Sequence, residues 1–317
     1  MKQVVECVPN FSEGRDASLI DAIAGAIRSV PGALLLDRSS DPDHNRSVIT
    51  MAGEPEAVLE AALRAVGKAA ELIDLRAHKG EHPRIGATDV VPFAPVSGVV
   101  LADCVALARR AGGDIWRRYR IPVYFYEAAA TRPERTNLEA VRKGGFEALR
   151  AGNIPDRVPD VGGPEPHPSA GATAVGARKF LIAYNIDLGT PDVKLARQIA
   201  KTIRASNGGL PFVKAMGVNL RSRGMAQVSM NLTDFEQTPL KLVFDTVKAE
   251  AARDGVQIAA SELIGLIPQR ALEGVSPAYL QLENFSEAQV FENRLQWAEN
   301  EVSERRTAGL AVDETRS

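Results

Sequence analysis

The 317-residue chain is 45% hydrophobic and 25% charged, the balance of a globular protein long enough for two domains. Its 38 Lys and Arg against 40 Asp and Glu leave a formal charge of −2, without the basic excess of a dedicated nucleic-acid binder. Cys7 and Cys104 supply no disulfide framework or zinc-ligand set, and no apolar run or leader points to a membrane or export, so a cytoplasmic location is expected.

Residues 3–8 read as a strand. Leu19, Ile20, Ile23 and Ile27 then fall on one face of a helix over 16–30, which Pro31-Gly32 ends. Short strands are expected at Ala33–Asp37 and Ser47–Met51, with the polar SSDPDHN as a turn between them. Leu59, Leu63, Val66, Ala70 and Ile73 mark an amphipathic helix over 54–73. Asp89–Val96 reads as a strand, and its prolines place it at an edge or a bend. A helix near 101–118 and a strand Pro122–Tyr126 complete the first half.

The stretch 151–178 is rich in Pro and Gly and shows no helix or strand pattern, so it reads as a long functional linker. The opening order then returns. A strand over 179–188 precedes a helix near 191–205, for which Thr190-Pro191 would supply cap and first turn. Strands near 211–220 and 225–232, a helix near 238–254 and a strand over 256–263 follow. Each half therefore reads β-α-β-β-α-β, which predicts an α+β protein of two ferredoxin-like subdomains with a ligand groove between them. The expected boundaries are 1–178, including the linker, 179–300, and a frayed tail over 301–317.

The chemistry concentrates in Gly80–Asp89, GEHPRIGATD, where Glu81, His82 and Arg84 lie between glycine and proline. An imidazole with an ordinary pKa near 6.5 suits proton transfer, and a guanidinium beside it suits an anion. A solvated polar turn is the plainer reading of the same residues. His78 and His82 are four apart, but Gly80 and Pro83 break the helix that would make that spacing a metal pair, so no metal is predicted. GATAVGARK at 171–179 fails the phosphate-loop pattern because Ala177 and Arg178 follow its second glycine. Cys7 and Cys104 read as core residues, and Asn45-Arg46 as either a turn or a binding element.

These segments resemble the glutamate formimidoyltransferase family, the folate-dependent transferases of histidine degradation. The resemblance is carried by VECVPNFSEG at 5–14, LLLD at 34–37, Asn45-Arg46, GEHPRIGATDVVPFAPVSGV at 80–99 and PVYFY at 122–126. It continues through GATAVGARKFLIAYNIDL at 171–188, AQVSMNLTDFEQT at 226–238 and LIGLIP at 263–268. It implies formimidoyl transfer from N-formimidoyl-L-glutamate to tetrahydrofolate as co-substrate, by a stand-alone transferase without the cyclodeaminase of the animal proteins. Dimerisation is implied as well.

The family's catalytic histidine matches His82, with Glu81, Arg84, Asp37 and Asn45 as supporting candidates. Glu81 would orient the imidazole, and Arg84 would take a substrate carboxylate by a two-point contact. The family's folate-binding loop matches Gly162, Gly163, Pro164, Glu165, Pro166, His167, Pro168, Ser169, Ala170 and Gly171. Two departures stand out: Ser39 where the family has an acid, for which Asp41 would substitute, and Ala170 where it has a tryptophan. Formyl exchange between 5-formyltetrahydrofolate and glutamate, or folate binding without catalysis, are the rival readings.

Overall fold

The computed structural model describes residues 2–42, 44–80, 83–152, 157–220 and 223–314, with side chains as far as residue 304. It divides into two units, Met1–Arg178 and Lys179–Ser317. In the first, β1 (Val4–Cys7) and β2 (Asn10–Phe11) lead to α1 (Ala17–Arg28). The Asp16 carboxylate caps this helix by accepting the Ser18 N–H, and Ile20, Ile23, Ala24 and Ile27 form its buried stripe. The hairpin β3 (Ala33–Asp41) and β4 (Arg46–Gly53) follows, then α2 (Pro55–Leu72), β5 (Thr88–Ser97), α3 (Leu101–Tyr119), β6 (Val123–Glu127), the short helices α4 (Leu138–Arg142) and α5 (Gly145–Arg150), and β7 (Thr173–Ala177).

The neighbour order of this sheet is β3-β4-β1/β2-β5-β7-β6; β7 runs parallel to both of its neighbours and the other pairs are antiparallel. On one face Val5, Cys7, Ile49, Met51, Val91, Phe93 and Phe125 share a core with α1, α2 and α3. On the other, Val90, Tyr124, Tyr126 and Ala174 pack with Val141 of α4 and Leu149 of α5.

The second unit has β8 (Ile182–Leu188), α6 (Val193–Ile203), β9 (Val213–Leu220), β10 (Met225–Leu232), α7 (Leu240–Arg253), β11 (Ile258–Ile264) and α8 (Phe291–Glu314). Its four strands pair antiparallel in the order β11-β8-β10-β9. The β-α-β-β-α-β order is thus present in each unit, and the first adds β6 and β7 to it.

Several expectations need correcting. The stretch 151–178 contains the strand β7, all five residues of which are buried. A parallel strand covered on both faces shows no alternation for the eye to catch. Its glycine is a packing residue, since a Cβ on Gly176 would lie 2.5 Å from the Tyr126 ring. β5 is central rather than at an edge, and the proline inside it is accommodated by a side chain. The Val8 N–H donates to the Pro92 carbonyl, but Pro92 has no N–H to return. The Asn10 Nδ2 group donates to the Val8 carbonyl instead, at 2.8 Å.

β3 runs on through Ser39 and Ser40 to Asp41, where a turn was expected. The cap of α6 is Asp192, whose carboxylate accepts the Lys194 N–H, so Thr190-Pro191 lies outside the helix. The expected tail is helical through Glu314, in a helix without the apolar stripe that periodicity detects.

Candidate functional site

Three of the segments singled out in the sequence of the first unit are tied together chiefly by main-chain groups. The Ser12 N–H donates to the Ala87 carbonyl and its hydroxyl to that of Gly86. The Ala87 N–H donates to Ala170, and the Ala172 N–H to Ile85. The 9–14, 83–89 and 167–172 segments, far apart in sequence, therefore lie side by side. Gly171, at φ +70°, is needed for this approach, because a Cβ there would meet the Ile85 carbonyl oxygen at 2.1 Å.

Asn45 joins two more segments. Buried and at φ +49°, it accepts the Gly14 N–H on Oδ1 and donates from Nδ2 to the Lys79 carbonyl. Its own carbonyl accepts from His78 Nε2 at 3.0 Å. Gly80 closes against the same turn, where a Cβ would lie 2.3 Å from the His44 carbonyl oxygen.

These contacts frame a small pocket of about 180 Å³, including the space open to solvent, lined by Phe11, Ser12, His44, Asn45, Arg46, His78, Arg84 and Asp89. Arg84 is buried, and its Nη2 donates to the Glu147 carboxylate at 2.9 Å and to the His78 carbonyl at 3.1 Å. Arg46 donates through Nη2 to Asn10 Oδ1. The Nε groups of both arginines are buried without a hydrogen-bond partner. Burial, reinforced by the positive charge of Arg142, pushes the Arg46 guanidinium down to about 10.

The carboxylates nearby are already engaged. Asp89 accepts the Ile85 N–H on Oδ1 and takes Nε and Nη2 of Arg142 on Oδ2, at 2.8 and 2.6 Å. Asp41 accepts the His44 N–H and faces its Nδ1 at 2.7 Å. His78 donates its Nε2 hydrogen to a carbonyl, so Nδ1 carries a lone pair, and that atom too is buried without a partner. Burial lowers its pKa, opposed by the hydrogen bond to the Asn45 carbonyl and helped to a smaller extent by the charge of Arg84.

Of the residues singled out in the sequence, Arg84 and Asn45 line this pocket, while Glu81 and His82 lie outside the described residues. Their flanks, Gly80 and Arg84, are both anchored at the pocket. Asp37 sits on β3 opposite Thr50, away from the lining residues. In the same register Ser39 pairs with Val48 and Asp41 with Arg46, so Asp37, Ser39 and Asp41 share one face of the sheet.

In the 162–171 loop Gly162, Pro164, Glu165 and Pro168 are exposed, and Gly162 closes on the Trp116 ring. The ends of its turn exchange two hydrogen bonds, His167 N–H to Gly171 and Gly171 N–H to His167. His167 Nδ1 accepts the Ala170 N–H, which leaves Nε2 as the donor side of the ring. Ala170 is turned into the core of the unit, so this chain offers a ligand no side chain at that position.

Sequence reasoning gave no individual role to Asn10, Ser12, Asp89 or Arg142. Asp89 at the head of an otherwise apolar strand was the signal for a buried ion pair. Both cysteines are buried, and burial pushes the Cys104 thiol up to about 12 and raises that of Cys7, which disfavours the thiolate of each. Among the described residues no group of three or more His, Cys, Asp or Glu could hold a metal ion, and no helix is long and apolar enough to cross a membrane.

Fold and site together define a mixed α/β protein of two units, the first of which gathers Arg46, Arg84, His78 and Asp89 around one polar pocket. The chain belongs to the formiminotransferase domain family: residues 4–178 match its N-terminal subdomain and residues 183–298 the formiminotransferase domain that follows. It is 48% identical over 297 residues to a glutamate formimidoyltransferase of Streptococcus pyogenes serotype M1, covering 93% of this chain and 99% of that one. A glutamate formimidoyltransferase of Thermoplasma acidophilum is 44% identical over 299 residues, covering 94% and 99%. The formimidoyltransferase-cyclodeaminase of Rattus norvegicus is 44% identical over 295 residues, 89% of this chain but 53% of that one.

Proposed function

We propose that the chain is a glutamate formimidoyltransferase, transferring the formimidoyl group of N-formimidoyl-L-glutamate to tetrahydrofolate. The observation that carries this reading is the 48% identity, over nearly the full length of both chains, to a protein of that name. Formyl exchange or a silent binding module has no comparable support. The same reading takes tetrahydrofolate as co-substrate, a homodimer as the working assembly and the cytoplasm as its location.

Gly162–Gly171 would hold the folate, for which the loop's exposed main chain and the donor side of His167 are suited. Bound there, tetrahydrofolate supplies the nucleophilic amine. His82 accepts the proton that this amine loses on forming its bond to the amidine carbon. It then returns the proton to the glutamate nitrogen as the old carbon–nitrogen bond breaks. One imidazole thus serves first as base and then as acid, which contributes about 10²- to 10⁴-fold. Asn45 and Gly80 position the GEHPR segment by fixing the chain on its N-terminal side.

Glutamate release from N-formimidoyl-L-glutamate plus tetrahydrofolate is the direct assay. His82→Ala is expected to lower kcat by at least 100-fold while tetrahydrofolate binding stays within a few fold. Full turnover by that variant would remove His82 from the mechanism, and absence of turnover by the unaltered protein would remove the function.

A further inference from the structure

The 162–171 loop is held unevenly along its length. Its C-terminal half is anchored by hydrogen bonds: besides the pair between His167 and Gly171, the Leu75 N–H donates to the Ser169 carbonyl and the Ala87 N–H to that of Ala170, both at 2.9 Å. Just before the loop, the Val123 N–H donates to the Val161 carbonyl, also at 2.9 Å. Between these anchors, none of the described residues makes a hydrogen bond to Gly162–Pro166.

What this arm does touch is an indole. Trp116 stands in the last turn of α3, whose Ala108, Ala111 and Ile115 are buried in the core of the unit, so a rigid element carries the ring. A Cβ on Gly162 would lie 2.6 Å from Cε3 and 2.9 and 3.0 Å from its ring neighbours Cδ2 and Cζ3. Near-equal distances to the two neighbours place that Cβ over the face of the ring rather than at its edge. One on Gly163 would lie 3.8 Å from Cη2, so both glycines follow the six-membered half of the indole. Gly162, at φ +98°, takes this course only because it has no side chain. The Arg120 guanidinium sits over the same ring, 5.4 Å from its centroid.

We propose that Trp116 is a positioning residue for tetrahydrofolate: its indole face supports Gly162 and Gly163 and holds the unbonded arm of the loop in its ligand-binding course before the ligand arrives. This rests on the reading that the loop holds tetrahydrofolate. An arm fixed neither by hydrogen bonds nor by packing would lose its freedom on binding, at the expense of affinity. A flat, rigid ring removes that freedom in advance, and it does so without taking a main-chain N–H or carbonyl from the loop. Trp116 does not line the polar pocket, so the effect falls on one co-substrate.

Calorimetry and steady-state transfer on the full chain test this with tetrahydrofolate and N-formimidoyl-L-glutamate. Trp116→Ala is expected to raise the tetrahydrofolate Kd and KM by about 10-fold, with kcat and the KM of the donor within about two-fold. Trp116→Phe, which keeps an aromatic face, should recover most of that loss. Should Trp116→Ala fail to fold, Trp116→Leu fills the space without the flat face and should show the same loss. Gly162→Ala pushes the loop off the ring from the other side and should weaken tetrahydrofolate at least as much. An unchanged tetrahydrofolate Kd in a folded Trp116→Ala or Trp116→Leu variant overturns the positioning role. So does a fall in kcat with a rise in both KM values that Trp116→Phe does not relieve. If Gly162→Ala alone weakens tetrahydrofolate, the loop remains the folate site and the role of the indole falls; if no variant weakens it, both fall. A 10-fold weaker Kd in Trp116→Ala without glutamate release by the unaltered protein would sink the transfer reading and leave the role of Trp116 standing.

Discussion

The two units share an element order but treat buried polar groups in opposite ways. In the second, Asn185, Asp187 and Gln227 are buried on the sheet and close a network among themselves and with Glu262. Gln227 Nε2 donates to Asp187 at 2.7 Å and to Glu262 at 2.9 Å, and Asn185 Nδ2 donates to Glu262 at 3.1 Å. In the first unit Arg46, His78, Arg84, Thr88, Thr173 and Glu6 each keep a buried atom without a partner. Among the described residues, Asp234 is the one such case in the second unit. A satisfied network stiffens a fold, whereas unsatisfied groups cost stability and persist where something else uses them. The contrast separates a unit whose buried polar groups are nearly all satisfied from one in which several are not.

The sharpest way to break this comparison is in the second unit. Gln227→Ala removes the one amide that bridges two carboxylates, and unfolding in urea should show a loss of about 2–4 kcal/mol. A loss under 1 kcal/mol would mean that the network is not what stiffens the sheet.

In the first unit the sign should invert. Burial raises Glu6 to about 7 from an ordinary 4.5, against the opposing charge of Arg178. Between those values the folded state holds more protons than the unfolded chain, so the contribution of Glu6 is full below pH 4.5 and is lost as pH rises through 7. Glu6→Gln should flatten that slope and gain about 2 kcal/mol above pH 7, read from urea midpoints across the pH range. A slope that survives the substitution would assign it to another group.

Thr173→Val is the smallest test. It replaces an unpartnered buried hydroxyl in β7 with a methyl of the same shape, and a gain of up to about 1 kcal/mol is expected in thermal unfolding. A loss would show that the hydroxyl has a partner after all.

Much of the fold was legible because amphipathic elements announce themselves. The stripe Ile20, Ile23, Ala24 and Ile27 marks α1 in sequence and is buried in the structure. β7 was not legible, since TAVGA is buried on both faces and does not alternate. Nor was α8, whose apolar residues do not gather on one face. The GEHPR motif and the 162–171 loop stood out as chemistry, but their neighbours in space did not. Arg46 reads as either a turn residue or a binding element until β4 pairs it with Asp41 and Asn10 reaches it from β2.

What the sequence determined by itself was the two-unit α+β order, the family, and the residue types available for proton transfer, because periodicity and motif are properties of the chain. Which polar atoms stay open was decided only by the tertiary structure. Pro92 denies Val8 a hydrogen bond, Asn10 supplies it, and Asn10 Oδ1 then holds Arg46 in the pocket. Such a relay depends on strands meeting in register, and no single segment records it.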